Sequence, residues 1–219
     1  MYHRARRSVN QTLRDGKLLF LTALLILGAY LMGSVPFGLL FSKALGGQDP
    51  RFVGSRNIGA TNVLRASGAG AAVLTLLGDA LKGYISAWGA RALGLGPWEC
   101  FWVSLAVFTG HLFPLYLGFR GGKGVATAAG IMAAWAPLLL AGCLGLFLVG
   151  LVLSRFVSVG SMLAAMGAPL GAALLGSHGP LLFLSLALAS GILWRHKENI
   201  RRLLKGQEKR LALKGNKNQ

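Results

Sequence analysis

The apolar residues of this chain form long runs, and strand-like alternation is absent. Six runs lie near 18–41, 70–90, 99–118, 124–153, 157–176 and 180–195. Several approach the roughly 20 residues that a helix needs to cross a bilayer. The pattern predicts an all-α, polytopic integral membrane protein.

The fourth run, 124–153, is long for one membrane helix and short for two. Pro137 interrupts it, and a proline inside a helix removes a backbone hydrogen bond. We therefore expect two short spans here, which makes seven transmembrane helices in total, some of them short.

Lysine and arginine are concentrated in alternate connections, and few occur around Arg91, around Pro137 or at 176–180. With seven spans, every basic connection falls on one side of the membrane, and the positive-inside rule makes that side cytoplasmic. The C-terminus then lies inside, together with a basic tail at 206–219. Residues 1–17 carry five basic residues and would lie outside. Either they are an extension from an upstream start codon or the orientation is reversed.

Composition supports a membrane protein with anionic partners. The chain is 54% hydrophobic and 13% charged, against about a quarter charged in soluble domains. Its net charge is +17, but the charges lie in short loops, which disfavours nucleic-acid binding and favours anionic lipid or substrates. Cys100 and Cys143 lack metal-binding spacing and are expected to be packing residues.

The connection at 49–70 is unusually polar and rich in glycine for a simple loop. Its polar residues include Ser55, Asn57, Thr61, Asn62 and Arg65. Irregular backbone at membrane depth must be buried in protein or line a wet cavity, and glycines allow backbone amides to approach a ligand. The alternative is a solvated loop.

The segment FRGGKG, 119–124, has the glycines and lysine of a phosphate-binding loop. It is not a nucleotide P-loop, because Leu117 and Gly124 stand where that motif requires Gly and Ser or Thr. A single phosphate would still suit Lys123 and the amides of Gly121 and Gly122 at a helix N-terminus. A plain positive-inside loop is the alternative.

Other polar residues lie inside or at the ends of apolar runs. Asp79 and Lys82, three residues apart, predict an ion pair on one helical face, and His111 is expected to be a hydrogen-bonded packing residue. His196 and Asn199 share a face where the last span ends. Four polar clusters therefore fall on the inferred cytoplasmic side, and a polar active-site pocket is expected there: 55–65, 120–124, Ser158 with Ser161, and 195–202. Paired catalytic carboxylates and zinc-binding spacings are absent from the sequence.

Six segments together closely resemble the bacterial membrane-integral acyl-phosphate:glycerol-3-phosphate acyltransferases. They are GSVPFGLLFSK (33–43), GSRNIGATNVLR (54–65), GDALKG (78–83), GHLFPLYLGFRGGKGVAT (110–127), SRFVSVGS (154–161) and WRHKENIRRLL (194–204). The resemblance implies a seven-helix inner-membrane enzyme, here residues 18–205, with its site facing the cytoplasm. It would transfer a fatty acyl group from acyl phosphate to the 1-hydroxyl of sn-glycerol 3-phosphate, giving lysophosphatidic acid. We expect a monomer that needs no cofactor or metal.

The resemblance also implies which residues are functional. The expected catalytic residues are Ser55, Arg65, Lys123, His196 and Asn199. Gly121, Gly122 and Gly124 match the family's phosphate-binding loop. The polar clusters add Asn57, Thr61, Asn62 and Ser158 as expected substrate-binding residues. Arg56 departs from the glycine of many members, so it either adds an anion contact or points to water. A transporter of a phosphate-bearing anion and a lipid scaffold are the rival classes, but the polar residues favour one side of the membrane.

Overall fold

The computed structural model describes the backbone of residues 2–211 and the side chains of residues 16–211. Within that part of the chain every regular element is a helix, so the predicted all-α class is confirmed. The α-helices are α1 (Tyr2–Ser34), α2 (Phe37–Ala44), α3 (Ala60–Ala92), α4 (Pro97–Leu112), α5 (Val125–Trp135), α6 (Pro137–Ser154), α7 (Val157–Leu174), α8 (Pro180–Arg195) and α9 (Lys197–Leu204). A short 3-10 helix covers Leu115–Leu117.

The helices have the length and the surface of membrane spans. Five segments of the described chain are long and apolar enough to cross a bilayer, and α5 and α8 are shorter apolar helices. Large apolar side chains point outward, with Leu138, Leu153 and Leu174 exposed by 75%, 81% and 79%. So much exposed apolar surface suits contact with lipid and not with water. The fold is that of an integral membrane protein.

The predicted break in the fourth apolar run is confirmed, because α5 ends at Trp135 and α6 begins at Pro137. Ala136 lies between them with φ −153° and ψ 78°, away from the helical region that a following proline disfavours. Proline at the first position of α6 costs no hydrogen bond, since that amide would have no helical partner.

The first apolar run is interrupted where the sequence predicted continuity over 18–41. α1 ends at Ser34 and α2 begins at Phe37, because Pro36 cannot donate a backbone hydrogen bond. Nζ of Lys82 in α3 donates to the carbonyl of Val35 in this break at 3.0 Å. The interruption therefore ties α1 to α3.

Glycines let neighbouring helices approach backbone to backbone. A Cβ at Gly33 of α1 would collide with the backbone of Val107 in α4. A Cβ at Gly130 of α5 would collide with the carbonyl of Ala80 in α3. Close packing of this kind is typical of helices in lipid. The hydrophobic effect does not drive helices together there, so van der Waals contacts at small residues contribute more.

The polar connections meet at one end of the bundle. α1, α4, α6 and α8 end there, and α3, α5 and α7 begin there. Ser34 Oγ accepts a hydrogen bond from the amide of Leu115 at 3.2 Å, and the amide of Leu211 donates to the carbonyl of Arg155 at 2.9 Å. The four polar clusters of the sequence come together at this end, since residues of each line one cavity there.

Candidate active site

A cavity of about 560 Å³ opens at the polar end of the bundle. It is lined by ten of the expected site residues: Ser55, Asn57, Thr61, Asn62, Arg65, Lys123, Gly124, Ser158, His196 and Asn199. Gly121 and Gly122 are buried beside the cavity but do not line it. The loop before α3, the start of α5, the start of α7 and the end of α8 each contribute to the wall.

The loop before α3 is held by the side chain of Asn62. Its Oδ1 accepts from the amide of Ser55 at 2.9 Å. Its Nδ2 lies 2.8 Å from the carbonyl oxygens of Pro50 and Asn57 and 3.0 Å from that of Val53. Asn62 was expected to bind substrate, but its amide is fully occupied by the loop. Its observed role is to fix the loop that carries Ser55.

Arg56 adopts a left-handed conformation in this loop, with φ 56°. Glycine takes that conformation without steric cost, whereas an arginine is strained in it. The Arg56 side chain is exposed and does not line the cavity. Of the two alternatives given by the sequence, the structure favours the one in which Arg56 points to solvent.

Two backbone amides of the segment 119–124 are not free to bind a ligand. The amide of Gly121 donates to the carbonyl of Leu112 at 3.2 Å, and the amide of Gly122 donates to the carbonyl of His111 at 3.1 Å. These two amides, expected to bind phosphate, are therefore already used within the protein. Lys123 and the first turn of α5, which begins after Gly124, remain at the cavity.

Lys123 lies in a strongly cationic part of the cavity. The pKa of Lys123 is lowered to about 8, first by burial and then by the positive charges of Arg202, Arg65 and Arg195, while the charge of Glu208 opposes the shift. No described carboxylate lies within ion-pair distance of Lys123 or Arg65. Both cations are therefore available to an anion.

The bonding of His196 defines its tautomer. Nδ1 lies 2.8 Å from the carbonyl oxygen of Ile192, which can only accept, so Nδ1 carries the hydrogen. Burial, followed by the charge of Lys123, lowers the pKa of His196 to about 4. The ring is therefore neutral at pH 7, and Nε2 is a hydrogen-bond acceptor.

Glu208 is a part of the site that sequence reasoning missed. Its Oε1 accepts from Ser158 Oγ at 2.9 Å and from Asn199 Nδ2 at 2.6 Å, and its Oε2 accepts from Arg202 Nε at 2.7 Å. Burial opposes ionisation, but these bonds hold the pKa of Glu208 below its usual value. One feature of the sequence could have pointed to Glu208. Acidic residues are rare, with six in the whole chain, and this one lies in the basic tail.

A buried cluster of Asp79, Lys82 and His111 lies at the inner wall of the cavity. Lys82 Nζ lies 2.8 Å from Asp79 Oδ1, so the predicted ion pair is confirmed. His111 Nδ1 lies 3.4 Å from the same oxygen, and Asp79 and His111 both line the cavity. The backbone of Gly122 packs on the His111 ring, where a Cβ would have no room.

The fold and site together define an integral membrane protein with a cationic pocket at one end of its helices. The family model for glycerol-3-phosphate acyltransferase matches residues 23–206. Two proteins named glycerol-3-phosphate acyltransferase are 46% identical to the chain: that of Burkholderia multivorans over 84% of this chain and 88% of its own, and that of Rubrobacter xylanophilus over 88% and 96%.

Solved structures agree with these sequence relatives. The glycerol 3-phosphate form of PlsY, described as an integral membrane glycerol 3-phosphate acyltransferase, is 40% identical, with a TM-score of 0.83 over 87% of this chain and 96% of that one. Its lysophosphatidic acid form is 37% identical, with a TM-score of 0.79 over 87% and 95%. The chain belongs to the glycerol-3-phosphate acyltransferase family.

Replacing Asn62 tests its role in holding the loop. Asn62→Asp removes the donors to Pro50, Val53 and Asn57, and each unpaired carbonyl costs about 1–3 kcal/mol. We expect a lower melting temperature in detergent and several-fold faster tryptic cleavage at Arg51 and Arg56.

The matched control is Ser67→Ala, which removes one exposed bond to Gln48 in the same connection. It should melt and be cleaved like the wild type. Wild-type melting and cleavage of Asn62→Asp would show that the loop does not depend on this side chain.

Proposed function

We propose that the protein transfers a fatty acyl group from acyl phosphate to the 1-hydroxyl of sn-glycerol 3-phosphate, giving lysophosphatidic acid and phosphate. Family membership and the two ligand forms of PlsY support an acyltransferase acting on glycerol 3-phosphate. The observation that carries the specific proposal is a pocket with unpaired cations, Lys123 and Arg65, at one end and apolar space at the other.

Two anions have to be held close together for this reaction. Lys123 and the N-terminus of α5 would bind the phosphate of the acyl donor, since helix amides and a cation both favour negative charge. Arg65, with Asn199 nearby, would bind the phosphate of the acceptor. Ser55 would orient the reacting groups. The protein then contributes mainly by positioning and by stabilising charge, which are large terms in catalysis.

The reaction needs no external oxidant or energy source, because acyl phosphate is already activated. The glycerol oxygen attacks the acyl carbonyl carbon, and the bond between that carbon and the phosphate oxygen breaks. The hydroxyl proton must pass to a base. A phosphate monoester has a second pKa of about 6, whereas the pKa of His196 is about 4. A substrate phosphate is therefore the stronger base, and neutral His196 serves to accept and orient the hydroxyl hydrogen.

The acyl chain has a suitable path from the polar pocket. A second, apolar cavity of about 80 Å³ shares five lining residues with the first: Val125, Ala129, Leu144, Phe147 and Ser161. It continues between α5, α6, α7 and α8 to Met132, Ala168 and Leu188. From Ser158 to Ala168, α7 rises about 15 Å. We place the acyl chain in this continuation.

The distribution of charge supports the orientation. Arg65, Arg120, Arg155 and Arg202 lie in or beside the connections at the pocket end, which by the positive-inside rule faces the cytoplasm. The seven apolar helices α1, α3, α4, α5, α6, α7 and α8 would all cross a bacterial inner membrane. We propose that the protein acts as a monomer.

The donor is tested with purified protein, glycerol 3-phosphate and either palmitoyl phosphate or palmitoyl-CoA. Palmitoyl phosphate should give lysophosphatidic acid and inorganic phosphate, measured by mass spectrometry and phosphate release, without an added metal. Palmitoyl-CoA should give neither. Product with palmitoyl-CoA alone, or no product with either donor, would refute the proposal.

The charge of Lys123 predicts a pH dependence. Lysine is charged below its pKa, so donor affinity should fall as the pH rises through about 8. Lys123→Arg, which stays charged, should lose this inflection in the KM for acyl phosphate, and Lys123→Met should lower kcat/KM roughly 10- to 100-fold.

The control for these variants is Lys43→Met, because Lys43 is exposed and does not line the cavity. It should keep both the wild-type rate and the inflection near pH 8. An unchanged rate in Lys123→Met would remove this lysine from the site.

The path of the acyl chain predicts a change in chain-length preference. Ala168→Leu should fill the deep end of the apolar cavity, so that about two methylenes of a palmitoyl chain lose their burial at ~0.8 kcal/mol each and the rate for palmitoyl phosphate falls roughly tenfold. The shorter octanoyl phosphate should react as with the wild type. Ala173→Leu, on the exposed face of the same helix, is the control and should change neither rate. Equal losses for both donors would contradict this placement.

A further inference from the structure

The position of Lys123 depends on the strip of backbone that precedes it. The amides of Gly121 and Gly122 are bonded to the end of α4, so one edge of the strip is held. Their carbonyl oxygens point the other way. Arg195, the last residue of α8, donates from Nε to the carbonyl of Gly122 at 2.9 Å and from Nη2 to the carbonyl of Gly121.

Arg195 makes these contacts from outside the cavity. It does not line the cavity, and its half-buried guanidinium also packs on Trp194, 5.6 Å from the ring centre. The guanidinium is a rigid fork whose neighbouring N–H groups suit two successive carbonyls, a geometry that a lysine ammonium cannot reproduce. The next residue, His196, does line the cavity. The end of α8 therefore holds the glycine strip and presents a site residue at the same time.

We propose that Arg195 is a positioning residue that acts through Lys123. It clamps the carbonyl edge of Gly121 and Gly122, so the strip is fixed at both edges and Lys123 is presented to the donor phosphate. This inference rests on the proposed function, since it assigns Lys123 to the donor. An arginine that only anchored α8 at the membrane surface would need no defined partner, and a lysine would replace it.

The experiment compares Arg195→Lys with Arg201→Lys, which changes an exposed arginine on the neighbouring helix α9. Arg195→Lys should lower kcat/KM for palmitoyl phosphate about tenfold or more, through the loss of two charge-assisted hydrogen bonds. The KM for glycerol 3-phosphate should change little. Arg201→Lys should match the wild type.

A double-mutant cycle shows whether the effect passes through Lys123. In a Lys123→Met background, which has no charge at this position to present to the donor, Arg195→Lys should cost less than about twofold, because coupled residues are not additive. The same loss in both backgrounds, or full activity of Arg195→Lys, would overturn the clamp.

Hydrogen exchange gives a readout that does not require activity. The amides of Gly121 and Gly122 should exchange about tenfold faster or more in Arg195→Lys and unchanged in Arg201→Lys. Unchanged exchange in Arg195→Lys would overturn the clamp even if acyl phosphate proved not to be the donor. A wild-type protein without acyl-phosphate activity would refute the proposed function alone.

Discussion

Backbone that leaves a helix at the edge of a membrane must find other hydrogen-bond partners, and the polar end of this bundle is organised around that constraint. The loop before α3 finds them in one side chain, Asn62. The glycine strip before α5 finds them in the end of α4 and in Arg195. Satisfying these groups also makes the two loops rigid, so Ser55 and Lys123 face the cavity from fixed walls.

The scarcity of acidic residues gives the cavity its chemistry. The chain has 23 lysines and arginines and six acidic residues. Near the cavity, Asp79 is paired with Lys82, and Glu208 is used by Arg202 and Asn199. The remaining cations repel one another, which contributes to the lowered pKa of Lys123. A phosphate anion bound there would relieve that repulsion, which would contribute to its binding free energy.

Local features of the sequence predicted most of the fold. The break at Pro137 is such a feature, because a proline acts on its own neighbours. The end of α1 at Ser34 was missed since the run stays apolar across Pro36. Long-range partners could not be predicted. Nothing near Gly121 and Gly122 in the sequence shows that their carbonyls face Arg195, and nothing near Glu208 shows that it reaches Ser158, 50 residues away.

The two ends of the cavity explain why such chemistry belongs at a membrane surface. The polar end holds charge that lipid cannot solvate, and the apolar end continues between helices at the depth of the hydrocarbon. An acyl phosphate fits this division without its chain passing through water. In the proposed reaction, the soluble acceptor would enter from the polar end. If the proton passes to a phosphate that is a stronger base than His196, as proposed, the site would have to provide little beyond alignment and positive charge.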